Sequence, residues 1–126
     1  MAEYRFTVRG KVPSKSNCYK IITIGGHASL AKTSAVKAFE REFFMQCPYR
    51  SLKKTEFTIP GKFLACIDVY YENDRPDIDN SSKVILDCLQ SCGVIKNDRN
   101  CVDLHIRKLV DKVNPRIEIH LEDIQL

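Results

Sequence analysis

The sequence predicts a single α+β domain spanning residues 1–126, with two helices packed on a mixed or antiparallel sheet in the order β-α-β-α-β-β. Three observations predict it. Residues 62–71 alternate with apolar side chains on both faces, as a strand buried in mid-sheet does. Residues 78–91 carry apolar side chains at helical spacing. Two more alternating runs then follow, parted by Asn114 and Pro115. At 126 residues the chain suits one domain, since domains most often hold roughly 100–150 residues.

Taken in order, Tyr4-Arg5-Phe6-Thr7-Val8 alternates as a half-buried strand. Pro13, Ser14, Ser16 and Asn17 break it into a polar loop. Tyr19 to Ile24 reads as a short returning strand, ended by Gly25 and Gly26. A helix is expected from Ser29 to about Gln46, with Ala35, Ala38, Phe39, Glu42, Phe43 and Met45 as an imperfect inward stripe, and Pro48 stops it. Leu52 to Pro60 connects to the central strand, where Phe63, Ala65, Ile67, Val69 and Tyr71 form one face. The second helix turns Val84, Ile85, Cys88, Leu89 and Cys92 inward and ends at Gly93. Val102 to Val110 and Arg116 to Leu121 are expected to close the chain as a hairpin. No repeat, low-complexity tract or linker interrupts this series.

Hydrophobic residues make up 44% and charged residues 29%, a globular balance with enough apolar material for one modest core. The net charge is +4, a mild excess that suits a polyanionic partner and is equally met in proteins without one. Its distribution says more. Lys11, Lys15, Lys20, Lys32, Lys37 and Arg41 load the first third, and Arg50, Lys53 and Lys54 follow. Acids crowd Glu72 to Asp79. Basic surface beside clustered acids is what a nuclease needs to grip phosphates around a metal; a solvated lysine-rich helix face has the same composition.

The six cysteines include no C-x-x-C pair, which argues against a zinc site. Cys88 and Cys92 share a helix face and are expected to pack inward as small hydrophobes. With no charged-then-apolar leader and no apolar run near the ~20 residues of a membrane span, the expectation is reduced thiols in a cytoplasmic protein. His27, His105 and His120 are scattered and suggest no ligand set.

The chemistry is concentrated in Arg75-Pro76-Asp77-Ile78-Asp79-Asn80-Ser81-Ser82-Lys83 and Lys96-Asn97-Asp98-Arg99. Two carboxylates one residue apart at a strand-to-helix junction can converge on one hard cation, which prefers oxygen ligands. Lys83, four residues beyond Asp79, is expected one turn up the same helix face. Asp98 lies past the helix and must fold back to join them. Each residue also has a structural reading. Asp77 can be a helix N-cap, Asp79 a first-turn acid favoured by the helix dipole, Lys83 an ion-pair partner of Asp79 and Asp87, and Asp98 a turn residue.

The order Asp-x-Asp-Asn-x-x-Lys, a helix carrying Asp87 and Leu89, a glycine, then an aspartate before an apolar strand resembles the signature of the RusA family of Holliday junction resolvases. Pro13-Ser14-Lys15-Ser16-Asn17 is similar to that family's N-terminal loop, and the first helix and the closing strands fall where the family has them. The resemblance spans nearly the whole chain and is specific between Asp77 and Asp98. It implies that Asp77, Asp79 and Asp98 are catalytic acids holding magnesium or manganese, and that Lys83 is the essential lysine. Asn80 would support the loop and the metal ligands from behind. One position departs: the family often carries two acids in its last turn, and here the first is Asn97.

The resemblance further implies a homodimer acting on four-way DNA junctions in recombination or repair, by paired phosphodiester hydrolysis. Lys11, Lys15, Asn17, Lys20, Lys32 and Lys37 are the candidate DNA contacts. The competing expectations are a flap or fork nuclease of looser specificity, a junction-binding module without chemistry, and a metal-binding or protein-interaction domain without a nucleic-acid role.

Overall fold

The computed structural model describes residues 3–13, 18–50 and 58–124. They form strands β1 (Glu3–Arg9), β2 (Tyr19–Ile24) and β3 (His27–Lys32), helix α1 (Ser34–Gln46), strand β4 (Phe63–Tyr71), helix α2 (Ser82–Ser91), and strands β5 (Cys101–Val110) and β6 (Arg116–Asp123). The class is α+β as the sequence predicts. A four-stranded sheet runs β1-β6-β4-β5, and β2 and β3 pair separately. The sheet is mixed: β6 is antiparallel to both β1 and β4, whereas β5 is parallel to β4.

Alternation sets the layers. Phe63, Ala65, Ile67, Val69 and Tyr71 of β4 are buried in strict alternation, and Ile117, Ile119 and Leu121 of β6 stand opposite them across the ladder. Val36, Phe39 and Phe43 of α1 and Val84, Ile85, Cys88 and Leu89 of α2 belong to the same buried cluster. All five residues predicted to face inward from the second helix are buried.

Three expectations are corrected. The first helix begins at Ser34 rather than Ser29, because Gly25 and Gly26, at φ of 57° and 82°, fold the chain into a tight hairpin that consumes His27–Lys32 as a strand. Thr33 then caps α1, its hydroxyl accepting from the Val36 N–H at 3.4 Å. The buried stripe of α1 is Val36, Phe39 and Phe43; Ala35, Ala38, Glu42 and Met45 face solvent. Finally, β5 and β6 do not form a hairpin. β6 is paired on both sides, by β1 and β4, which buries Ile117, Ile119 and Leu121, and β5 takes the edge beside β4 with Val102, Leu104 and Val110 left exposed.

Candidate active site

The acids sit where β4 gives way to α2. The chain leaves Tyr71 through an exposed polar loop and closes a turn in which the Asn80 N–H donates to the Asp77 carbonyl at 3.0 Å. The Asn80 side-chain amide donates to the Pro13 carbonyl at 3.5 Å, tying this turn to the segment that follows β1. Ser81 is fully buried, and its Oγ accepts from the Tyr71 hydroxyl at 3.1 Å. Ser81 holds the N-cap position in the right-handed helical region and makes no side-chain cap bond. Asp77 is therefore not the N-cap, and Asp79 precedes the helix instead of lying in its first turn. Both carboxylates are exposed.

Lys83 lies in the first turn of α2. Its Nζ is 3.3 Å from Asp87 Oδ2 and 6.0 Å from the centre of the Tyr19 ring, and the Tyr19 hydroxyl donates to the same Asp87 oxygen at 3.4 Å. Bonding to Asp87 raises the Lys83 pKa above the ordinary lysine value, with Asp98 a smaller contributor in the same direction. The sequence reading put Lys83 over Asp79 on one helix face. Here the two line one cleft, whose other wall is Tyr19, Leu30 and Lys32 of the β2–β3 hairpin. Asp87 entered that reading as a pairing partner at i+4 and as part of the family signature, with no role at the site. Tyr19 carried no signal, because 64 residues of chain separate it from Lys83.

Asp98 opens a short 3-10 turn, Asp98–Asn100, capped by Asn97, whose side chain accepts from the Arg99 N–H at 3.0 Å. The Asp98 N–H donates to Gln90 Oε1 at 2.9 Å, which folds this turn back onto α2. Asp77 and Asp79 precede α2, and Asp98 follows it on a turn folded back toward the helix, near enough to Lys83 to act on it. Among the described residues no group of three histidine, cysteine or carboxylate side chains is gathered closely enough to hold one ion. The donor types of Asp77, Asp79 and Asp98, all carboxylate oxygens, are those a hard divalent cation selects. The ligand chemistry fits, whereas a three-carboxylate shell needs these acids to approach one another.

Of the candidate DNA contacts, Lys20 and Lys32 lie on the hairpin, and Lys32 pairs with Glu40 at 3.1 Å. Lys11 pairs with Glu72 at 3.1 Å. Lys37 lies instead on a groove between α1 and α2. Lys15 and Asn17 fall outside the described residues.

The family model described as Endodeoxyribonuclease RusA matches residues 13–122. The chain belongs to the RusA endodeoxyribonuclease family. A search of curated proteins finds no match. The RusA match runs from Pro13 to Glu122 in β6, and so takes in the β4–α2 junction, α2 and the Asp98 turn. As a RusA-family member the protein is a hydrolase that cuts phosphodiester bonds within DNA. Among the described residues no helix is long and apolar enough to cross a membrane.

Proposed function

We propose that this RusA-family nuclease resolves four-way DNA junctions by paired strand cutting, using Asp77, Asp79, Asp98 and Lys83. The observation that carries the reading is the cleft at the start of α2, where Asp79 and Lys83 meet the cationic β2–β3 hairpin. Magnesium is the ion best suited to the carboxylates of Asp77, Asp79 and Asp98, with manganese as a substitute. When bound there, such an ion supplies an oriented water and polarises the phosphoryl oxygens. Lys83, kept protonated by Asp87, sets a fixed positive charge beside the scissile phosphate and stabilises the negative charge that grows in the transition state. Asn80, bonded to Pro13, steadies the turn that presents the two acids.

Recognition rests on phosphate layout more than on base edges, for which Lys32 lines the cleft and Lys20 lies on the same hairpin. A four-way junction is close to two-fold symmetric, so a homodimer offers one site to each of two opposed strands. The six cysteines are all free thiols, in keeping with a reducing, cytoplasmic setting.

The test is to incubate the protein with a synthetic four-way junction and a matching linear duplex, with magnesium and with EDTA. Paired nicking of the junction alone, requiring magnesium and absent in Asp79→Asn, supports the reading. Equal cutting of flaps, forks and junctions would replace it with a looser branched-DNA nuclease. Junction binding without any cutting would leave a binding module.

A further inference from the structure

The β2–β3 hairpin carries the largest apolar exposure near the cleft. Ile21 and Leu30 are direct cross-strand partners, 76% and 71% exposed, on the hairpin face that also bears Tyr19 and Lys32. Leu30, Tyr19 and Lys32 in turn line the cleft shared with Asp79 and Lys83, which encloses about 660 Å³. A side-chain pair this apolar and this open is costly to leave in water unless something covers it. Its electrostatic setting identifies the cover. From Cys18 to Lys32 the chain has Lys20 and Lys32 and no acid, so the hairpin repels a second copy of itself and attracts a polyanion.

We propose that this cleft receives an unstacked nucleobase of the strand being cut, with Leu30 in the cleft and its neighbour Ile21 beside it as the apolar platform. The inference rests on the reading of the β4–α2 junction as the cutting site. A base pulled from its stack needs an apolar surface for its face and polar groups for its edge. Leu30, Val84 and the Tyr19 ring supply the first, and Asn80, Ser82 and Lys32 lie at the cleft for the second. At the base of the hairpin Cys18 belongs to the buried cluster, whereas Ile21 and Leu30 beyond it are exposed, so the platform projects from the core as an apolar wedge.

The experiment uses four-way junctions with 2-aminopurine at successive positions around the crossover, bound in EDTA so that nothing is cut. The wild-type protein is expected to raise the fluorescence of the probe next to the cut position. The Ile21→Ser/Leu30→Ser protein, altered only at exposed positions, is expected to lose that rise. With magnesium it should cut about tenfold more slowly, the scale of one lost base contact. Circular dichroism checks that the variant is folded. A variant that keeps both the rise and the cutting rate overturns the proposal. So does one whose main change is in oligomeric mass, which would make the platform a contact between copies. Should the wild type fail to cut any junction, the reading of the active site falls, while a rise dependent on Ile21 and Leu30 would still establish the base cleft.

Discussion

The Tyr71 hydroxyl donates to Ser81 Oγ at 3.1 Å, and both side chains are buried, so the last residue of β4 is bonded to the N-cap of α2. The nine intervening positions bring Asp77 and Asp79 out to solvent and back, with this bond at their base. Ser81→Ala leaves a buried hydroxyl without its acceptor, a loss of about 1–3 kcal/mol. Tyr71→Phe removes the donor, and the double variant should cost less than the two singles combined, because neither orphaned group remains. Urea unfolding checks this; strictly additive losses would mean that the bond couples nothing.

Much of this arrangement is legible in the sequence, and the parts that are not have physical reasons. The α2 stripe and the β4 alternation are local periodicities, and each buries the side chains it predicts. The hairpin is disguised because Ser29, Leu30, Ala31 and Lys32 suit a helix, although Gly25 and Gly26 together are a hairpin turn signal. The pairing of β5 with β4 instead of β6 is non-local. Leu104, Ile106 and Val110 of β5 face the same side as Ile117, Ile119 and Leu121 of β6, so the apolar pattern of either strand suits the central place. At the candidate site the acids and Lys83 are marked by motif, whereas the bond from Tyr19 to Asp87 joins distant segments and leaves no trace in spacing.

Asp87 should act as a positioning residue. Its carboxylate holds Lys83 and raises that lysine's pKa, so the ammonium persists to higher pH than an unpaired one would. With Lys83 73% exposed, the pair adds little to stability at any pH, and what it adds fades as pH rises through the raised lysine value. In Asp87→Asn the alkaline limb of the cutting-rate profile should move to lower pH, with the melting temperature nearly unchanged. An unshifted limb would separate Lys83 from the chemistry or Asp87 from Lys83.

On the face of the sheet away from the helices, Arg107 grips Asp68 with two bonds of 2.8 and 2.7 Å, which hold the carboxyl below its usual range. A depressed carboxylate stabilises the fold above its unfolded pKa, about 3.9, and that support is lost as pH falls through the lower folded value. Arg107→Gln should therefore melt slightly earlier than wild type at neutral pH, and the difference should close in strong acid. Carboxyl NMR should find Asp68 returned toward the ordinary value; an unmoved titration would mean another group depresses it.

Asn97 stands where the family often has an acid, and its side chain already accepts from the Arg99 N–H. Aspartate caps a turn as well as asparagine does. Asn97→Asp should thus keep the Asp98–Asn100 turn while adding a carboxylate beside Asp98. If Asp98 is a metal ligand, the added charge should tighten magnesium binding by calorimetry and lower the magnesium needed for half-maximal cutting. Unchanged binding with an intact fold would show that position 97 faces away from the ion, and that the departure from the family pattern at this residue has no cost.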